Sequence, residues 1–463
     1  MKRINSYEEL FSLLSIKNGS KVSFHHHLRN GDYVLNNTML EIDKLNIKDI
    51  TIVASGIFPC HEPIVPLIEK GTISSIYANY LNGPVAKVVS EGHLDKDLIM
   101  QTHGGRPRSI ENGEVVIDVA FIAVSAADKL GNANGIDGKT VLGPLGYSIS
   151  DTQFAKTTVL VTDTIVDELT YNEIKASDVD FVLVLDEIGD QNLIKSGTTS
   201  ITRSPVSLKI ARDVVSVIEE TGYLKEGLSF QTGAGGTSLA VAKYLKDKMI
   251  KNNITGSFAS GGITGYLVEM LEAGLFKELY DVQCFDLDAV ASLKRNDNHH
   301  IMTASEYANP NSNPIVDKLD IMILGATEVD VNFNVNVTTA SDGYIIGGSG
   351  GHSDTASGSK LAIVVTNLVK ARTPIVVDKV TTKTTPGKDI DILVTEYGIA
   401  VNPLRKDLIE SLKETELKVK TIEELRSIAS NLVGEETKTN RSDEVIGYVE
   451  YRDGSIIDKL YKV

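Results

Sequence analysis

The chain is similar to itself at a spacing of about 200 residues, and that likeness restricts its fold more than any other feature. "VSFHHHLRNG", with Ser23-Phe24, matches "LSFQTGAGGT", with Ser229-Phe230, and Ala54-Ser55-Gly56 matches Ala259-Ser260-Gly261. The longest match needs no gap: "IDVAFIAVSAADKLGNANG" against "LDIMILGATEVDVNFNVNV" sets Asp118, Asp128, Asn132 and Asn134 on Asp320, Asp330, Asn334 and Asn336. Ser150-Asp151-Thr152 then returns as Ser353-Asp354-Thr355. The four offsets are 206, 205, 202 and 203. A spacing held through four blocks in the same order implies two homologous halves, 1–222 and 223–463, meeting near "ETGYLKEG".

Within each half, short β-branched runs alternate with helical stretches. "DITIVAS", "DVAFIAVS", "TTVLVTD" and "FVLVLDE" stand in the first, "GLSFQTG", "DIMILGA", "LAIVVTN" and "IDILVTE" in the second. Apolar runs of this length, separated by amphipathic segments such as "PVSLKIARDVVSVIEETG", predict an α/β fold with mainly parallel sheets flanked by helices. A chain of 463 residues can bury two such cores. Ligands of such sheets bind beyond the carboxyl ends of the strands, so chemistry is expected in the loops there.

Composition excludes several classes of function. Apolar residues make up 42% and charged residues 23%, ordinary for a globular domain, and no run approaches the ~20 apolar residues of a membrane span. Acidic residues interrupt the N-terminus where a signal peptide carries its apolar stretch, so a cytoplasmic location is expected. Two cysteines, Cys60 and Cys284, are too few for a disulfide framework or a CxxC zinc site. The net charge of −16 argues against nucleic acid, and any anionic ligand must meet local positive charge.

Four loops carry the residue types for that. His25, His26 and His27 leave the first strand of the first half, in the place that "QTGAGGT" holds in the second. A purification tag would not precede "LRNGDYV". Adjacent residues in an exit loop diverge, whereas metal ligands on one face need i, i+2 or i+4 spacing, so no metal site is expected. Two readings stay open: hydrogen bonds to local backbone, or contact, helped by Arg29, with an anionic substrate. Gly233, Gly235 and Gly236 let a ligand approach amides at a helix N-terminus, without the Lys of a P-loop or Rossmann spacing. Gly347, Gly348, Ser349, Gly350 and Gly351 can aim several amides at one oxyanion. "THGGRPR" brings His103, Arg106 and Arg108 together, and guanidinium groups grip carboxylates bidentately. Glu111 is expected to be a turn residue. Glu396 in "LVTEYGIA" is either structural or faces the site.

These strings, with "EVDVNFNVNV", "VTEYGIAVNP" and "YVEYRDGSIID", resemble the alpha subunits of citrate lyase, the citrate CoA-transferase component, along almost the whole chain. "GGSGGHSD" and "VTEYG" also resemble the wider CoA-transferase superfamily, which implies two NagB/RpiA-like domains. The resemblance implies exchange of the acetyl group of acetyl-CoA, or of an acyl carrier protein's thioester, for citrate, releasing acetate. It implies no permanently bound cofactor: CoA, or the carrier's CoA-like prosthetic group, is a co-substrate. Beta and acyl carrier (gamma) subunits are the implied partners, and a homo-oligomer is expected. Family members carry a longer leader before the first strand, which is expected to bear on docking to those subunits.

Many members of the superfamily use a glutamate nucleophile, whose place here falls at about Ser260, Gly261 and Gly262, where there is no glutamate. Direct attack by a citrate carboxylate, through a mixed acetic–citric anhydride, is therefore expected. On this reading residues 347–351 stabilise the oxyanion. Gly233, Gly235, Gly236 and residues 260–262 receive the thioester arm, while His25–His27, Arg29, His103, Arg106 and Arg108 bind citrate. A transferase for citramalate or another polycarboxylate, or a thioester hydrolase, would need the same loops. A non-catalytic anion-binding module would not need glycine loops in both halves.

Overall fold

The computed structural model describes residues 1–195, 200–233, 235–433 and 441–463. Two large sheets dominate it, and their seven central strands run in the same spatial order. In the first sheet that order is Phe181–Val184, Thr158–Thr162, Val119–Ala123, Lys21–Phe24, Ile50–Ala54, Ile73–Ala78, Leu98–Met100. In the second it is Ile392–Thr395, Leu361–Val365, Ile321–Gly325, Ser229–Thr232, Gly256–Ile263, Phe276–Cys284, His299–Ile301. Every pairing among these strands is parallel. The central strands, such as Val119–Ala123 (VAFIA) and Leu361–Val365 (LAIVV), are rich in Val, Ile, Leu and Ala because both faces are covered. Both orders reverse direction beside equivalent strands, Lys21–Phe24 and Ser229–Thr232. Crevices for ligands open at such reversals.

The aligned acidic and amide residues prove to be scaffolding. Asp118 accepts the Lys21 amide and pairs with Lys156; Asp320 accepts the Ser229 amide and pairs with Lys360. Asp128 gathers the amides of Leu130, Gly131 and Asn132, and Asp330 those of Asn332 and Asn334. Each fixes a tight turn through local side-chain bonds.

The sheets divide the chain at places other than 222/223. Helix Pro205–Glu220 buries Ile210, Val214, Val217 and Ile218 in the same core as Phe230, Leu361 and Ile363, so it belongs with the second sheet. Its amphipathic spacing fixes a buried stripe but not which sheet that stripe covers. At the other end, Val445–Glu450 crosses back to lie parallel to Leu98–Met100, and Ile456–Tyr461 pairs antiparallel on it; with Lys2–Ile4 beside Phe181–Val184 at the opposite edge, the first sheet has ten strands.

The two halves interlock closely. Asp354 of the second half accepts the Thr102 hydroxyl (2.8 Å) and the Gly104 amide (3.0 Å) of the first. A Cβ on Gly104 would overlap the Ala308 carbonyl. Glu111, expected in a turn, ends helix Gly105–Glu111 and accepts from Ser150, Ser305 and Asn309, joining the halves. The carboxylate of Glu396 accepts the Leu368 amide (2.9 Å).

Candidate active site between the two halves

A cavity of about 210 Å³ opens where the loops of the two halves meet. His103 and Tyr147 line it from the first half. Gln231, Thr232 and Gly233, Gly262 with Phe285, and Tyr307 line it from the second, and Ser349, Gly351 and His352 complete it. Most of these residues sit at or just beyond strand carboxyl ends, where the repeat placed them.

The histidine triplet is packed behind this cavity, all three rings buried. Its loop is held from both halves: the His26 carbonyl accepts the Arg29 amide (3.0 Å) and the Gln283 side chain (2.9 Å). Ser55 Oγ accepts the His26 amide (3.1 Å) and lies 2.6 Å from Nδ1, so one hydroxyl anchors both the backbone and the ring of His26. Both ring nitrogens of His25 and of His27, and Nδ1 of His103, have no hydrogen-bond partner among the described residues. Burial lowers the pKa of all three triplet rings well below the usual histidine value, with Arg106 contributing at His25 and His27. Burial, then Arg106, brings His103 down to about 3. The cluster is therefore neutral, with unused capacity to bond a polar ligand.

Arg29 is the cation best placed beside it. Its guanidinium lies 5.4 Å from the Phe58 ring and 4.8 Å from the Phe285 ring, so side chains of both halves sandwich it. It has no ion-pair partner among the described residues, Nε is unpartnered, and burial lowers its pKa. The backbone at Arg29 is left-handed (φ 53°), which directs the chain out of the histidine loop.

The other two arginines are already engaged. Arg106 grips Asp151 through two bonds of 2.7 Å and donates to the Tyr147 carbonyl, all inside the first half. Arg108 makes the same fork with Glu114, at 2.6 and 2.8 Å. Each of the three arginines leaves its Nε unpartnered among the described residues, but acids neutralise the guanidinium groups of Arg106 and Arg108.

The glycine strip proves to be a clasp as well as a wall. The Gly347 amide donates to the Thr338 carbonyl and the Gly350 amide to the Asn79 carbonyl, while the Gly350 carbonyl accepts from His103. Backbone passes so close here that a Cβ on Gly348 would overlap Asn79. Ser349 and Gly351 reach the cavity. His352 donates to the Gly325 carbonyl (2.9 Å) and accepts from Thr385 (2.7 Å), and burial lowers its pKa to about 4. Earlier in the same half Gly233 lines the cavity, Gly235 caps helix Gly236–Asn252, and the Gly236 carbonyl accepts from Thr202. Residues 260–262 make room: a Cβ on Gly261 would collide with Gln231 and one on Gly262 with the Phe285 ring.

Tyr147, Gln231, Phe285 and Tyr307 were not singled out from the sequence. The repeat held a signal for one of them: the offset of 206 that joins Ser23 to Ser229 also sets His25 on Gln231. Glu173 is another such residue. Its carboxyl accepts the Leu145 amide (2.5 Å) in the loop that carries Tyr147, and burial pushes its pKa up to about 8.

Two parallel sheets of like strand order close their strand ends over a cleft whose lining, among the described residues, is neutral, an arrangement that fits the CoA-transferase class. The comparisons agree with this class and narrow it. All of residues 1–463 match the family described as "Citrate lyase, alpha subunit (CitF)". The citrate lyase alpha chain of Klebsiella pneumoniae is 43% identical over 464 residues, covering 100% of this chain and 91% of that one. A Streptococcus mutans structure, described as the alpha subunit of citrate lyase in complex with citrate, superposes with a TM-score of 0.97 at 45% identity, covering 100% of this chain and 91% of that one. The malonate decarboxylase alpha subunit of Acinetobacter baumannii, at 16% identity and TM-score 0.64 over 91% of this chain and 90% of that one, shares the fold. The chain belongs to the citrate lyase alpha subunit family and is an enzyme with CoA-transferase activity.

Proposed function

We propose that the chain exchanges the acetyl group of a CoA-type thioester for citrate by direct attack of a citrate carboxylate. The observation that carries this reading is the composition of the cleft: no Asp or Glu lines it among the described residues, His103 with an unpartnered Nδ1 does, and behind that wall lie the unpartnered rings of His25 and His27 and, against Phe285, the Arg29 guanidinium. Citrate in the Streptococcus mutans relative supports the choice of acid. The carboxylate oxygen forms a bond to the acetyl carbonyl carbon, the C–S bond breaks, and CoA leaves as thiolate. That thiolate then attacks the citryl carbonyl of the mixed anhydride, and acetate departs with one oxygen that began in citrate.

Arg29 binds a citrate carboxylate, with the aromatic rings keeping water from its faces. The neutral imidazoles of His25, His27 and His103 supply hydrogen bonds to the remaining oxygens. Arg106 acts behind them, holding Asp151 and the Tyr147 loop. The thioester arm enters along Gly233, Gly235 and Gly236, and the oxyanion meets amides of the 347–351 strip that are not already engaged. Positioning of two bound substrates and exclusion of water from the anhydride complete the catalysis. A carrier protein's prosthetic group fits the role of donor as well as free CoA, with carrier and beta subunits as partners.

Acetyl-CoA and citrate incubated with the enzyme are expected to yield citryl-CoA and acetate by mass spectrometry. With enzyme in excess and ¹⁸O-labelled citrate, the first acetate released carries one labelled oxygen. Unlabelled acetate in that first turnover, or a glutamate reduced by borohydride, would show that a side chain holds the acyl group.

A further inference from the structure

The second half contains a polar relay that ends in the cleft. Ser260 Oγ donates to Gln231 Oε1 (3.0 Å), and Gln231 Nε2 donates to the Tyr307 hydroxyl oxygen (2.7 Å). Because Tyr307 accepts from Gln231, its own hydroxyl hydrogen remains available, and it donates to no acceptor among the described residues. The ring is buried, yet Gln231 and Tyr307 both line the cavity. Its hydroxyl has room only because residue 351 is glycine: a Cβ there would lie 2.5 Å from Tyr307 Oη.

The repeat gives the equivalent positions in the first half. Strand His299–Ile301 is the counterpart of Leu98–Met100 in sheet order, and the offset of 201 residues between Leu98 and His299 sets Arg106 on Tyr307. Gln231 takes the place of His25, and Ser260 that of Ser55. The first half thus holds a charged set, with His25 3.7 Å from Asp151 and Asp151 forked by Arg106. In the second half the equivalent positions are neutral, and the aspartate counterpart, Asp354, is committed to Thr102 and Gly104. A neutral donor beside the free edge of the glycine strip suits a carbonyl oxygen that gains charge during reaction, since it needs no counterion before the charge develops.

We propose that Tyr307 is a catalytic residue of the transfer, donating its hydroxyl hydrogen to the thioester carbonyl oxygen as the carboxylate attacks. No proton is transferred: the hydrogen bond shortens as the tetrahedral oxyanion forms and relaxes when the thiolate leaves. Gln231 is a positioning residue that orients the hydroxyl, with Ser260 fixing its amide. Burial raises the Tyr307 pKa above its ordinary value, so the donor stays protonated throughout the working range.

This inference rests on the acyl-transfer reading above. Tyr307→Phe is expected to lower kcat about 100-fold while changing the citrate KM less than about threefold, because one donor made in the transition state is lost. A second measurement needs no turnover: binding of a CoA thioether bearing a methyl ketone in place of the thioester, against S-propyl-CoA. Y307F should weaken the ketone selectively. An unchanged kcat, or equal weakening of both analogues, would overturn the role of Tyr307. The wild-type reaction run alongside reports on the citrate reading; its failure to form citryl-CoA would remove that reading, while the analogue comparison still tests Tyr307.

Discussion

Three arginines lie within the candidate loops, and their neighbours decide what each can do. Arg106 holds a buried carboxylate, so Arg106→Ala leaves Asp151 charged and unpaired and is expected to destabilise the fold by about 3–5 kcal/mol. Denaturant unfolding reads that loss directly. Arg29 meets two aromatic faces and, among the described residues, no acid, so Arg29→Gln should raise the citrate KM about 10- to 100-fold, with kcat and unfolding midpoint little altered. Arg29→Lys is expected to rescue little, since a point charge neither stacks on the rings nor forks a carboxylate. A citrate KM raised by R106A in a fully stable protein would reverse this assignment. Sequence reasoning found all three residues by charge and loop position. It could not separate them, because the acids that neutralise Arg106 and Arg108 lie 45 and 6 residues further along the chain.

Among the elements, the C-terminal hairpin ties the first sheet to the second half. Val445–Glu450 protects the edge strand Leu98–Met100, and Gln101 donates to Glu450 (2.9 Å) just before the "THGGRPR" loop turns into the site. Its turn reaches the second half, where Arg452 pairs with Asp317 and Tyr451 donates to Asp389. Removing residues 441–463 exposes an unpaired edge and cuts a tie between the halves. The truncated chain is expected to aggregate, or to lose citrate binding together with cooperative unfolding; size-exclusion chromatography and calorimetry distinguish these from a chain that remains native. The string "YVEYRDGSIID" stood out in the sequence by its resemblance to the family and not as a strand. Its partner was not legible, because pairing across 349 residues leaves no local periodicity.

At the scale of the whole molecule, the cleft concentrates neutral imidazoles that the unfolded chain would protonate. His25, His26, His27 and His103 all have folded pKa values below the unfolded value of 6.5. As pH falls through 6.5 the unfolded state takes up protons that the folded state refuses, so stability present above 6.5 is lost toward the folded values. Unfolding midpoints between pH 7.5 and 5 should fall steeply, and His27→Gln should flatten the slope; parallel slopes would contradict the burial of that ring. From the sequence alone came the duplicated α/β architecture, the strand runs and the loops that end them, because side-chain periodicity and repeated turn residues are local properties of the chain. The tertiary structure decided which sheet takes helix Pro205–Glu220 and the terminal hairpin, which arginine keeps a free guanidinium, and which glycines serve as wall or clasp. Those outcomes depend on partners brought together by folding, and the energy of a buried charge or an unshared hydrogen bond is set by those partners rather than by chain neighbours.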